Sequence, residues 1–108
     1  MVARARHMMA LDYHARMSLE DLARALGVSE RTLSRKFTAA MGVTPFAYGR
    51  GLKLEVAARM LRTSILRVDQ IALRVGYQDI RFFRAAFRAQ FAVSPEKYRR
   101  NTTKPAQA

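Results

Sequence analysis

The chain has 108 residues, 50% of them hydrophobic and 26% charged. That is enough for one small domain with a core and too little for two full-sized ones. Twenty Lys+Arg against eight Asp+Glu give a formal net charge of +12 and a pI near 11.4, and cysteine is absent. The charge calls for a polyanionic partner, with nucleic acid ahead of an anionic membrane surface. The lack of thiols excludes a disulfide framework, a thiolate zinc finger and a cysteine nucleophile, and fits a reducing compartment. The longest stretch free of Lys, Arg, Asp and Glu, Phe37 to Gly49, is broken by Gly42 and Pro45 and is too short for a membrane span. No apolar run follows Arg4 and Arg6 as a signal peptide would require, so the expected location is the cytoplasm, with no membrane partner.

In chain order, a helix is expected from about Ala3 to His14. Leu19, Leu22, Ala23 and Leu26 then recur at helical spacing up to Gly27, and Leu33, Phe37, Ala40 and Met41 do so up to Gly42. Leu54, Ala57, Ala58 and Leu61 mark a helix over about 46–62, in which Gly49 and Gly51, each costing about 1 kcal/mol against alanine, predict a late start or a hinge. Val68, Ile71, Ala72 and Val75 lead to Gly76, and Ile80, Phe83, Phe87 and Phe91 form the next stripe. A short helix follows Pro95, since proline suits a first turn. The last residues, 102–108, have nothing to bury and are expected to be disordered. No segment alternates as a strand does, and the fold class is all-α with about seven helices.

Laid on itself at an offset of 49 to 50 residues, the chain repeats. Leu19-Glu20-Asp21-Leu22-Ala23 through Gly27 matches Val68-Asp69-Gln70-Ile71-Ala72 through Gly76. After one added residue, Phe37 matches Phe87, Ala39 matches Ala89, Pro45 matches Pro95, Tyr48 matches Tyr98 and Arg50 matches Arg100. Each copy reads helix, glycine turn, helix, which is the helix-turn-helix pattern. Ala23 and Ala72 let the second helix approach, and Gly27 and Gly76 stand where positive φ is favoured. Ser29 can cap the helix after the first turn, and Gln78 or Asp79 the one after the second. The organisation expected is one DNA-binding domain over 1–101, with a first helix-turn-helix at about 18–41, a linker helix at 46–62 and a second helix-turn-helix at about 67–91.

Both second helices are candidate recognition helices. Arg31, Ser34, Arg35 and Thr38 lie at i, i+3, i+4 and i+7 away from Leu33 and Phe37, and Arg81, Arg84, Ala85 and Arg88 repeat that geometry opposite Phe83 and Phe87. Arg31 and Arg81 are equivalent, and an arginine near the start of a recognition helix can grip guanine O6 and N7 with two hydrogen bonds. A linker helix of roughly 25 Å at 1.5 Å per residue can place the two helices about one DNA turn, roughly 34 Å, apart.

The run Gly76-Tyr77-Gln78-Asp79-Ile80-Arg81-Phe82-Phe83-Arg84-Ala85-Ala86-Phe87, with Phe91-Ala92-Val93-Ser94-Pro95-Glu96-Lys97-Tyr98-Arg99-Arg100, resembles the signature of the AraC/XylS family of bacterial transcription regulators. Gly27-Val28-Ser29-Glu30-Arg31-Thr32-Leu33-Ser34-Arg35-Lys36-Phe37, then Gly42-Val43-Thr44-Pro45 and Tyr48, agree with it, and the resemblance covers about residues 15 to 100. It implies a seven-helix, bi-lobed, sequence-specific double-stranded DNA-binding domain acting in transcription. RNA polymerase and an effector-sensing N-terminal domain are its implied partners. It also implies base contacts at Arg31, Ser34 and Arg35 in the first lobe and at Arg81, Ala85 and neighbours, including Arg84, in the second. Three departures stand out. Ala92 replaces the family's usual glycine, a mild change if the backbone there takes a non-glycine φ. An arginine common at the position of Ala85 is missing, with Arg84 one step earlier, as in a subgroup fused to an amidotransferase-like sensor domain. Arg67 stands where a serine cap is common.

Most protein–DNA hydrogen bonds reach phosphate and sugar, and Ser29, Lys36, Thr38, Arg50, Lys53, Gln78, Arg88 and Arg99 are the candidates for the DNA backbone. The alternative to sequence-specific binding is a nonspecific polyanion binder acting through charge alone. Phe83, Phe87 and Phe91 read as core rather than a base-stacking platform, and Tyr48 and Tyr98 as packing residues with hydroxyls at the surface. His7 and His14, without a third ligand, make a poor metal site. No phosphate loop or nucleophile elbow is present. Neither an enzyme nor a cofactor is expected.

Overall fold

In the computed structural model of the protein, residues 1–11 and 18–103 are described. Among them are seven helices: α1 Val2–Leu11, α2 Leu19–Leu26, α3 Glu30–Met41, α4 Pro45–Thr63, α5 Val68–Arg74, α6 Ile80–Phe91 and α7 Pro95–Thr103. The described residues contain no strand. The chain divides into two compact units, Met1–Leu52 and Lys53–Ala108, with the boundary inside α4.

The helix ends follow from local chemistry. Ser18 Oγ accepts from the Asp21 N–H at 3.0 Å while Asp21 accepts from the Ser18 N–H, so two otherwise orphaned donors at the start of α2 are satisfied. Thr44 and Ser94 cap α4 and α7 in the same way as each other, accepting from the N–H of Ala47 and of Lys97 at 3.1 Å, and a proline follows each. The capping chemistry therefore repeats along with the sequence.

The two glycine turns are also built alike. Gly27 and Gly76 have φ of +73° and +99°, and the next residue reaches back to the alanine of the preceding helix: Val28 N–H to Ala23 O at 3.0 Å, Tyr77 N–H to Ala72 O at 2.8 Å. This bond to a carbonyl five residues back reverses the chain after a helix, and glycine permits it without a Cβ clash. α3 and α6 start three and four residues after these glycines.

In the first unit, α1, α2 and α3 pack on one another around Ala5, Leu22, Ala23, Leu33 and Phe37, with Met8, Met9, Leu26, Met41 and Tyr48 at the margin. Phe37 and Tyr48 meet edge to face at 5.4 Å. In the second unit the buried residues include Leu54, Leu61, Ile71, Val75, Phe83 and Phe87. There Phe87 touches Phe83, Phe91 and Tyr98, with ring centroids 4.5 to 5.9 Å apart. Such pairs add about 0.5–1.5 kcal/mol each beyond the area they bury, so the phenylalanine stripe is core, as its spacing indicates.

Several expectations need correction. The first helix ends at Leu11, and the rest of the stretch expected to reach His14 lies outside the described residues. α4 neither starts late nor breaks at its glycines: it begins at Pro45, and a Cβ on Gly49 would stand 3.4 Å from Met9 Cε. That is ordinary van der Waals distance to the tip of a flexible side chain, so the packing does not demand glycine there. Ala92 does not take an ordinary φ. Its φ is +70°, close to the +79° of its counterpart Gly42, and each donates its N–H to the carbonyl four residues back. At the other end, α7 runs through Thr103, with the Thr102 hydroxyl donating to Tyr98 O, so the segment expected to be disordered from residue 102 begins as helix. Residues 104–108 lie outside the described residues.

Candidate nucleic-acid interface

The first candidate surface is the outer face of α3. Leu33 and Phe37 are fully buried, which turns Arg31, Arg35, Lys36 and Thr38 outward, with Ser34 half-buried. Ser29 caps the helix: its Oγ accepts from the Thr32 N–H at 3.1 Å and hydrogen-bonds the Thr32 hydroxyl at 2.9 Å. The amide end of α3, with its partial positive charge, therefore opens beside these side chains and favours an anion such as phosphate. Neither Arg31 nor Arg35 makes an ion pair among the described residues. Their guanidiniums are available to a ligand.

The second surface, on α6, has the same frame and different chemistry. Phe83 and Phe87 are buried, and Arg81, Arg84, Ala85 and Arg88 are exposed. Asp79 is the cap, accepting from the Arg81 N–H at 2.9 Å. Its carboxylate also takes two bonds from the Arg81 guanidinium, Nε to Oδ1 at 3.2 Å and Nη2 to Oδ2 at 3.0 Å. The side-chain bond from Arg81 is the main reason the Asp79 carboxyl titrates below its ordinary value, and Asp79 in turn raises that of Arg81. The pair is exposed, so it fixes orientation more than it adds stability.

Arg84, one of the residues expected at the bases, pairs with Glu96 on α7. Burial alone would push the Glu96 carboxyl up, but the hydrogen bond from Arg84, the Glu96 backbone N–H and the charges of Arg84 and Arg100 outweigh it and hold it below the usual range. Arg99, expected at phosphates, also turns inward. Its Nε donates to Leu61 O at 3.0 Å and Nη2 to Ser64 O at 3.1 Å, serving carbonyls that the end of α4 leaves without helical partners. Arg62 donates to the Tyr98 hydroxyl at 2.7 Å. Spacing alone gives no view of these bonds, which join residues 12 to 38 positions apart.

Of the other backbone candidates, Gln78 is exposed just before α6, and Arg88 is exposed in its last turn. Lys53 runs beside the second glycine turn, with Nζ 3.6 Å from where a Gly76 Cβ would be. The Arg50 guanidinium stands 5.7 Å from the centre of the Phe46 ring, an exposed cation–π pair. Arg67 offers no acceptor to cap α5, and the reciprocal half of a capping box takes over: its N–H donates to Gln70 Oε1 at 2.8 Å. One exposed residue escaped the pattern reading. Phe82, on the first turn of α6, is 70% exposed, and only its place one step from the core stripe could have signalled it.

The described residues hold no group of three His, Cys, Asp or Glu side chains placed to bind a metal ion, and no helix long and apolar enough to cross a membrane. His14, named above with His7, lies outside the described residues.

Comparison with known proteins agrees with this geometry. A helix-turn-helix domain family profile matches residues 22–101. The chain is 35% identical over 85 residues to the HTH-type transcriptional regulator AlkR of Acinetobacter baylyi, and 36% identical over 88 residues to the transcriptional activator NphR of a Rhodococcus species. Those alignments cover 79% and 82% of this chain but only 28% and 26% of the relatives, so the chain spans less than a third of their length. Among solved structures, an AraC-type transcriptional regulator from Chromobacterium violaceum superposes with a TM-score of 0.91 at 28% identity, covering 97% of this chain and 94% of that one. The DNA-binding domain of AdpA, solved in complex with a target DNA, superposes with a TM-score of 0.87 at 29% identity, covering 98% and 97%. With two helix-turn-helix units and this profile match, the chain belongs to the AraC/XylS-type helix-turn-helix family.

Proposed function

We infer that this domain binds double-stranded DNA sequence-specifically and thereby regulates transcription, with α3 and α6 each entering a major-groove segment of one duplex. The observation that carries the reading is the matched pair Arg31 and Arg81. Each is exposed, one turn or less from a helix start that follows a glycine turn of the same geometry. A guanidinium at that place fits the guanine edge with two hydrogen bonds. Arg35 and Ser34 extend the base-reading face of α3, and Ala85, with its small side chain, lets α6 come close to the base edges. Ser29, Lys36, Thr38, Arg50, Lys53, Gln78 and Arg88 are assigned to phosphate, where position and charge matter more than base identity. No catalytic step belongs to this reading.

RNA polymerase and an effector-sensing domain remain the proposed partners on the family likeness, and the cytoplasm the proposed location. Selection from a random duplex library tests the reading. Enrichment of a defined sequence supports it, whereas tight, salt-sensitive binding with no enrichment would replace it by nonspecific polyanion binding.

A further inference from the structure

We propose that Phe82 is a specificity residue of the second lobe and reads the 5-methyl group of a thymine beside the base gripped by Arg81. This inference rests on the DNA-reading role of α6. Phe82 is 70% exposed although its neighbour Phe83 is fully buried, and it joins none of the ring contacts that tie Phe83, Phe87, Phe91 and Tyr98 together. An exposed phenylalanine on the first turn of a small helix does nothing for the core.

Its surroundings point to the ligand. On a helical wheel Arg81 and Phe82 flank Ala85, whose small side chain leaves space between them. Arg84 lies on the side of Phe83 away from Phe82 and is held by Glu96, so it does not crowd the ring. The first turn of this face is therefore one guanidinium, fixed in direction by Asp79, next to one apolar ring, with Arg88 exposed in the last turn. Only one base edge in the major groove presents an apolar group, the thymine methyl, and phenylalanine is among the side chains that meet it. The first lobe lacks this device. Thr32 occupies the position equivalent to Phe82, and its hydroxyl oxygen accepts from Ser29 Oγ. The two lobes thus differ in chemistry: two unpaired arginines, Arg31 and Arg35, on the first half of α3, against Arg81 braced by Asp79, Arg84 paired with Glu96 and a ring on the first half of α6.

The test exchanges thymine for deoxyuridine, which removes only the methyl. On a duplex chosen by library selection, each thymine contacted by α6 is replaced in turn, and affinity is measured at fixed salt for the wild type, Phe82→Ala and Phe82→Leu. In the wild type one such exchange is expected to weaken binding about fourfold, the value of one buried methyl at ~0.8 kcal/mol. In Phe82→Ala that exchange should have no effect, and in Phe82→Leu, which keeps an apolar side chain, part of it should remain. Circular dichroism checks that both variants fold. A selected site whose α6 half holds no thymine, or whose methyl dependence is absent or persists in Phe82→Ala, overturns this inference alone. Failure to select any sequence overturns the DNA-reading role and the inference with it.

Discussion

Arg81 holds both carboxylate oxygens of Asp79, at 3.2 and 3.0 Å, whereas its counterpart Arg31 has no acidic partner among the described residues. The same carboxylate caps α6. For the base-reading role proposed for Arg81, this brace means fewer rotamers lost on docking, at the cost of an acidic group near phosphate. Asp79→Ala is expected to destabilise the fold through the lost cap, lowering the denaturant midpoint. It should also raise affinity for scrambled duplex while lowering the ratio of target to scrambled binding. Asp79→Asn, which keeps a capping oxygen, should show the change in binding with little change in stability. Denaturant unfolding and competition binding measure the two effects separately. A sharper target preference in either variant would contradict the bracing role.

The left-handed backbone at Ala92 gives a second prediction. Its φ of +70° places Cβ against the following carbonyl, a conformation that glycine takes freely. Ala92→Gly should therefore stabilise the protein by about 1 kcal/mol, raising the melting temperature by roughly 4–8 °C for a domain of this size. An unchanged or lower melting temperature would show that the surrounding structure carries no such strain.

Much of the fold is legible in the sequence because the determinants are local. The leucine and phenylalanine stripes, the Gly27 and Gly76 turns and the caps at Ser29 and Asp79 depend on residues within one or two turns of each other. What was not legible is where long arginines go. Arg84 reaches Glu96 and Arg99 reaches Leu61 and Ser64, partners 12 to 38 residues distant, and a four-bond stem lets either arginine point to solvent or inward with equal ease in a linear pattern. Ala92 was misread for a related reason, since its backbone is dictated by the turn between α6 and α7 rather than by its own preference. Phe82 was hidden by Phe83, because two adjacent rings satisfy one core position.

The inward turn of Arg99 separates it from the phosphate candidates. Arg99→Ala should lower stability by about 1–3 kcal/mol, since carbonyls at the end of α4 lose charge-assisted donors. It should leave the slope of log affinity against log salt unchanged. Arg88→Ala or Lys36→Ala should do the reverse, keeping stability and reducing the salt slope by about 1. Unfolding curves and salt titrations of the three variants check this, and a reduced slope for Arg99→Ala would return it to the DNA surface.

The Arg84–Glu96 pair predicts a pH effect. The folded-state carboxyl of Glu96 lies below its ordinary value, so its contribution is present above the unfolded pKa of about 4.3 and is lost as pH falls through the lower folded value. Glu96→Gln should flatten the acid side of the stability profile, below about pH 5. Because both side chains are more than 40% exposed, the change should stay under about 1 kcal/mol. Base preference at neutral pH should not alter. A profile as steep as that of the wild type would mean that the pair does not form in solution.

α3 and α6 are both proposed to read bases, each through the arginine that leads it. Site selection from a random duplex library at about 0.15 M salt, with wild type, Arg31→Ala and Arg81→Ala side by side, tests it most directly. Two short boxes are expected, with Arg31→Ala losing preference in one and Arg81→Ala in the other. A single box that survives Arg81→Ala, or binding with no enriched sequence, would contradict it.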